Sequence, residues 1–162
     1  MLCASVGILF FAGCQTVVLI PPERTAIFPV ELTPQLLLIC DELPRGVSES
    51  IFWTPKETDL VDLDTRLPAY LKKTMLVMAE NSDRGLPLWE RYCRQVGGIV
   101  VNGKRMILVS YARFDHLFGL EADPEWWRKG VVAVNDGGSD YFRVIYDPST
   151  RQFIWYDQNW TA

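Results

Sequence analysis

The sequence predicts an α+β domain in which an amphipathic helix packs on an antiparallel β-meander. Leucines recur at helical spacing between residues 56 and 71, with charged residues between them. After Arg94 the pattern changes to apolar runs of strand length, and Asn102-Gly103 separates the first two of them as a hairpin turn does. Because one face of such a sheet must be buried, the leucine stripe is its expected cover.

Length and composition are those of one ordinary globular domain. The chain has 162 residues, of which 49% are hydrophobic and 22% charged. This composition supports a packed core and is unlike that of a disordered chain. The formal net charge is −4 and no cluster of Lys and Arg stands out, so no nucleic-acid partner is expected.

The N-terminal segment carries no charge before Glu23. Residues 2–11 form an apolar run that is shorter than the ~20 residues that span a bilayer, which favours a targeting segment. Two alternatives remain open: a buried N-terminal strand that contains a small buried cysteine, and an uncleaved anchor that runs through Ile20.

The order Phe11-Ala12-Gly13-Cys14 follows this run and resembles the lipobox of bacterial lipoproteins. In that family the signal peptide is cut just before the cysteine, whose thiol carries a diacylglyceryl group. The resemblance implies a signal peptide over residues 1–13 and membrane attachment through a lipid on Cys14. It also favours the outer membrane of a Gram-negative cell, because Gln15 follows the cysteine where Asp would favour the inner membrane.

Prolines punctuate the segment that follows, and they argue against long elements there. Residues 14–34 are therefore expected to form a tether, and residues 35–162 the single folded domain. The apolar run at residues 35–43 is too short for its periodicity to distinguish a strand from a helix.

The main helix begins with a recognisable N-terminal signal, Thr54-Pro55-Lys56-Glu57. Thr54 is the expected N-cap, Pro55 suits the first helical position, and Glu57 stands where it would close a capping box. Pro68 is expected to kink or end the helix locally. The apolar stripe consists of Leu60, Leu63, Leu67 and Leu71.

The meander is expected to contain the hairpin around Asn102-Gly103 and three further strands between residues 130 and 157. Gly97-Gly98 indicates a bulge or a close approach of another part of the chain. This element order looks like the wrapped sheets of the cystatin and nuclear-transport-factor types. The stretches "GIVVNGKRMI" and "VNDGGSDYFRVIYDP" also look like a type found in small uncharacterised bacterial envelope proteins, a resemblance that implies no activity.

Metal and cofactor chemistry is not expected. His116 is the one histidine, and the four cysteines show no C-x-x-C spacing. The segment 136–140 resembles a calcium loop, but its two carboxylates fall short of the six or more oxygens that calcium requires, so a glycine-rich turn is expected. In an oxidising compartment Cys40 and Cys93 either form a disulfide or remain two buried thiols.

An enzyme is the main alternative to a binding protein. Cys93 or Cys40 would be the nucleophile of a hydrolase or transferase, His116 its base, and Asp115 an orienting carboxylate. Adjacent residues of a strand point in opposite directions, however, so Asp115 is poorly placed for this role. We therefore do not expect an enzyme.

A binding surface is expected at Trp126-Trp127, because large aromatic side chains anchor many interfaces. Glu121, Asp123 and Glu125 lie beside the pair and suit a cationic partner. The alternatives are a solvated loop held by two buried aromatics, and a contribution from Trp160. The sequence thus predicts a lipid-anchored envelope protein with a binding or structural role. An inhibitor that presents its loops to a partner enzyme is a further alternative.

Overall fold

The computed structural model confirms the α+β class, and its described residues form a six-stranded mixed sheet. It describes residues 20–40, 42–75, 91–117, 123–134 and 137–159. The expected signal peptide and the lipidation site at Cys14 lie outside these ranges. The helices and strands are β1 Thr25–Ile27, α1 Thr33–Leu38, β2 Val47–Trp53, α2 Glu57–Met75, β3 Tyr92–Val101, β4 Lys104–Arg113, α3 Phe114–Leu117, β5 Tyr141–Asp147 and β6 Gln152–Gln158.

Strands β3 to β6 form the expected antiparallel meander, but the sheet as a whole is mixed. Strand β1 pairs with β3 in parallel over Arg94–Val96. Strand β2 is antiparallel to the other end of β3, over Gly98–Val101. The two short strands therefore share one edge of β3, and β6 forms the opposite edge of the sheet.

The described part of the expected tether, residues 20–34, belongs to the folded domain, which corrects the predicted boundary at residue 35. Ala26 and Phe28 are buried, and the backbone N–H of Phe28 donates to the carbonyl of Val96 at 2.8 Å. The elements here are short, as the prolines predicted: β1 has three residues, and Pro34 lies in the first turn of the six-residue α1. The first four residues of the apolar run that followed the tether, 35–38, are helical and contribute most of α1.

Helix α2 begins later and ends later than the sequence pattern predicted. It spans Glu57–Met75 and continues through Pro68. The capping interaction is made by Asp59, whose Oδ2 accepts a hydrogen bond from the backbone N–H of Lys56 at 2.8 Å. The expected N-cap, Thr54, is exposed and lies before the helix.

The leucine stripe of α2 covers one face of the sheet as predicted. All four leucines are buried, and they share one hydrophobic cluster with side chains of β3, β4 and β5. Those sheet residues are Tyr92, Val96, Ile107, Val109, Tyr111, Phe142, Val144 and Tyr146.

The β3–β4 hairpin also forms as predicted. Asn102 and Gly103 both have positive φ angles, 50° and 77°, as a two-residue turn of this kind requires. The pairing of β3 with β4 is unbroken, so Gly97-Gly98 is a close approach and not a bulge. A Cβ atom on Gly98 would lie 2.3 Å from the carbonyl oxygen of Trp53, and one on Gly97 would lie 2.7 Å from Cγ2 of Thr33.

The second face of the sheet is covered as well, by α1 and by the segment 123–134. Gln95, buried on this face, donates to the carbonyl of Gly130 at 2.7 Å and accepts from the backbone N–H of Val132 at 2.9 Å. This side chain binds the backbone at 130–132, and the described part of the run predicted there as a strand, residues 131–134, forms no strand. The other two predicted strands correspond to β5 and β6.

Candidate functional site

A cavity of about 330 Å³ lies between the first turns of α2 and strand β1. This volume falls at the lower end of the range of small-molecule sites. The walls are mainly apolar, with a few polar groups among them. The lining residues are Ile20, Pro22, Thr25, Ile27, Glu57, Leu60, Val61, Asp64 and Arg94.

A buried ion pair forms part of the cavity wall. Arg94 of β3 is 4% exposed and Asp64 of α2 is 7% exposed, and Nη1 of the arginine contacts Oδ1 of the aspartate. Nε of Arg94 also donates to Oγ1 of Thr25 on β1, at 3.0 Å. Three elements that are distant in sequence therefore meet at one polar group.

Strand register explains why Arg94 reaches α2. Tyr92, Arg94 and Val96 alternate along β3 and face the helix, and Tyr92 and Val96 belong to its apolar cluster. The hydroxyl of Tyr111 on β4 lies beside the guanidinium. Asp64 follows Leu63 of the buried stripe, and α2 thereby places its carboxylate against Arg94.

Electrostatics in this pocket are governed by burial. Loss of solvent raises the pKa of Asp64 above its ordinary value, whereas the adjacent Arg94 acts in the opposite direction. Burial also raises the pKa of Tyr111. A buried ion pair is often no more stabilising than well-packed apolar side chains would be. Because Asp64 and Arg94 both line the cavity, a ligand bound there can reach their polar groups.

The rim of the cavity is open to solvent. Pro22, Glu57 and Val61 are exposed, whereas Ile20 and Leu60 are buried. Among the residues that the structure describes, none forms an ion pair with the Glu57 carboxylate.

No sequence motif marks this site. Thr25 lies in the segment predicted to be a tether, and Asp64 is one of several polar residues between the leucines. Arg94 marks only the point at which the hydrophobic pattern changes from helical to strand periodicity. One signal was present: Arg94 is a charged residue in a strand position that faces the apolar side of the helix.

The tryptophan pair is not the surface that we expected. Trp127 is 1% exposed and belongs to the hydrophobic cluster under the second face of the sheet, which corrects its assignment as a surface anchor. Its ring meets Phe114 edge to face, with 6.1 Å between centroids. Trp126 is half-buried against the same cluster. A binding role for Trp126 stays a prediction, and Trp160 lies outside the described residues.

The carboxylates of this loop are paired within it. Asp123 Oδ2 lies 2.6 Å from Nζ of Lys129, and Glu125 contacts Arg128. Such pairing reduces the charge that a cationic partner would meet. Glu121 lies outside the described residues.

The proposed nucleophile Cys93 is poorly suited to catalysis. Its side chain is 0% exposed, and its thiol donates to the carbonyl of Ala112 at 3.6 Å. Burial raises the pKa of this thiol to about 12, which leaves little thiolate at neutral pH.

The proposed base is also arranged differently from the expectation. His116 is exposed, and its nearest described carboxylate is Asp140, with 3.9 Å between Nδ1 and Oδ2. Asp115 instead forms an ion pair with Arg113 at 2.6 Å. Asp115 therefore does not orient the histidine.

No disulfide joins Cys40 to Cys93 in the structure. The thiol of Cys40 donates to the carbonyl of Leu36 at 3.2 Å, and that of Cys93 is bound to Ala112 as described above. Each sulfur therefore has a separate backbone acceptor, and of the two alternatives the structure shows two thiols.

Alkylation rates are expected to separate the two cysteines. At pH 8 iodoacetamide should modify Cys93 at least about a hundredfold more slowly in the folded protein than in the unfolded chain, because the thiolate is the reactive form. Half-buried Cys40 should react faster than Cys93. Peptide mass spectrometry gives both rates. Equal alkylation rates for Cys93 in the folded and unfolded protein would contradict its burial. If neither cysteine is labelled in the unfolded protein without a reductant, the two cysteines form a disulfide.

Within the described ranges, no three His, Cys, Asp or Glu side chains cluster as a metal site would require. Of the calcium-like segment, Asp136 lies outside those ranges, and Asp140 contacts Arg113 at 3.3 Å. The helices described here also include none with the length and apolarity of a membrane span. No family model, curated protein or solved structure matches the chain.

Proposed function

We propose that this protein is an exported, lipid-anchored cell-envelope protein whose domain binds a small, mainly apolar ligand. The observation that carries the binding role is the cavity beside α2, with the buried Asp64–Arg94 pair in its wall. The lipobox-like order that ends at Cys14 supports the anchor and the envelope location. The cystatin-like or nuclear-transport-factor-like layout belongs to the same proposal and rests on element order.

The size of the cavity limits the ligand. At roughly 30 Å³ for each water-sized group, the space accommodates about ten non-hydrogen atoms. The surrounding Ile20, Ile27 and Leu60 provide an apolar surface, and Thr25 and Asp64 provide hydrogen-bonding oxygens. Sites of this kind take most of their affinity from apolar burial and their orientation from a few polar contacts.

Lipid attachment is tested by replacing the modified cysteine. The Cys14→Ser protein should lose its radiolabelled palmitate and leave the membrane fraction, because two acyl chains give stable anchoring whereas none remains in the variant. Cys40→Ser is the matched control, and it should keep both the label and the membrane location. Equal labelling of the Cys14→Ser and wild-type proteins would rule out this site.

Binding is tested with naphthalene, a neutral apolar probe of ten carbon atoms. Val61→Trp places an indole at the mouth of the cavity and should weaken binding at least about tenfold. Thr65→Trp is the matched control, because residue 65 lies one turn further along α2, is exposed and does not line the cavity. Calorimetric titration gives the three affinities. If naphthalene binds all three proteins equally, or if the wild type binds no small apolar or amphipathic probe, the cavity is not a ligand site.

A further inference from the structure

The polar groups of the cavity differ in how many of their hydrogen-bonding positions are already used. Arg94 contacts Asp64 through Nη1 and Thr25 through Nε, and Tyr111 lies beside its guanidinium. The charge of Arg94 is therefore paired, and at least two of its five N–H groups are already used. The Oδ2 atom of Asp64, by contrast, accepts no hydrogen bond from any residue in the described ranges.

The charges at the site sum to a negative value. Asp64 and Glu57 each contribute −1 and Arg94 contributes +1. The N-terminus of α2 adds the equivalent of about half a positive charge. Asp59, which caps the same helix end, offsets that contribution.

These charges discriminate between classes of ligand. An anionic head group would meet two carboxylates and an arginine whose charge is already paired with Asp64. A neutral, purely apolar ligand would leave Oδ2 of Asp64 without a donor and away from water, which is costly. A cationic donor would satisfy that oxygen and approach the Glu57 carboxylate at the rim.

We infer that the cavity is selective for a small amphipathic cation, a primary ammonium group carried on an apolar body of up to about ten non-hydrogen atoms. The ammonium group lies between Asp64 and Glu57, and the apolar body lies against Leu60, Ile27 and Ile20. This inference rests on the proposed function, because it requires that the cavity bind ligands at all.

The test compares three probes of equal chain length: hexylammonium chloride, hexanol and sodium hexanoate. Calorimetric titrations at pH 7 should show that hexylammonium binds at least about tenfold more tightly than hexanol. The reason is that a hydrogen bond between charged groups is stronger than one that a neutral hydroxyl donates. Hexanoate should bind most weakly. Naphthalene reports in parallel whether the cavity accepts apolar molecules.

The charge of the rim is tested without disturbing the buried pair. Glu57→Gln should weaken hexylammonium binding about two- to fivefold, the range for a solvent-exposed charge pair. Glu49→Gln on β2 is the matched control, because it removes the same charge from an exposed position that does not line the cavity. Asp64→Asn should have a larger effect, but it also breaks the buried pair, so Glu57→Gln carries the test.

The outcomes separate this inference from the proposed function. The ligand class is supported if affinity falls in the order hexylammonium, hexanol, hexanoate, and if Glu57→Gln weakens hexylammonium binding whereas Glu49→Gln does not. Binding of naphthalene with no preference for hexylammonium over hexanol or hexanoate overturns the ligand class and leaves the cavity a ligand site. Failure of all four probes overturns both.

Discussion

Replacing Trp127 with alanine is expected to lower the free energy of unfolding by about 3–5 kcal/mol. The indole is almost fully buried, and it fills the space between the segment 123–134 and the second face of the sheet. Its removal leaves a large cavity and deletes the edge-to-face contact with Phe114 and the contact with the guanidinium of Arg128.

Urea titration of the folded domain measures this loss. Trp126→Ala is the matched control, because the neighbouring ring is only half-buried and should cost clearly less. If the Trp127→Ala protein is as stable as the wild type, its ring is not a core residue, and the original expectation of a binding surface at this pair returns.

Replacing Leu63 with aspartate is expected to cost about 4 kcal/mol or more. Leu63 is 0% exposed at the centre of the stripe by which α2 covers the sheet. The new carboxylate would be buried among apolar side chains, and Arg94, the nearby cation, is already paired with Asp64.

Lys72→Asp is the control for this change, because it introduces the same side chain at an exposed position of the same helix. It should cost no more than about 1 kcal/mol, part of which reflects a negative charge near the helix C-terminus. Circular dichroism melts compare the two variants. Coincident melting curves would show that α2 does not cover the core.

The elements that could be predicted from the sequence are those whose signals are local and periodic. The leucine stripe defines α2 because four residues at helical spacing produce one apolar face. Asn102-Gly103 defines the β3–β4 hairpin because both residues accept positive φ angles. Gly97-Gly98 indicated a close approach, and the structure shows Thr33 and Trp53 as the groups that approach them.

The elements that were missed depend on tertiary contacts. Strand β1 has three residues among prolines, and it exists because β3 offers it a parallel edge. The run at 131–134 has strand-like composition, yet the buried amide of Gln95 binds its backbone against the face of the sheet. No local sequence pattern predicts either the pairing of β1 or the absence of a strand at 131–134.

The cavity could not be predicted for the same reason. Thr25, Asp64 and Arg94 come from β1, α2 and β3, and none belongs to a motif with a known spacing. The predicted sites relied on residue type instead. Trp127 and Cys93 are buried, so residue type alone did not distinguish packing residues from functional ones.

The location of a bound probe tests the central claim most directly. In a nuclear magnetic resonance titration of the isotope-labelled domain with naphthalene, the largest shifts should fall on the backbone amides of Thr25, Ile27, Leu60 and Val61 and on the Nε–H of Arg94. Because these groups line the cavity, they should follow one saturation curve. Shifts centred on the indole of Trp126, or scattered without saturation, would contradict the assignment of this cavity as the ligand site.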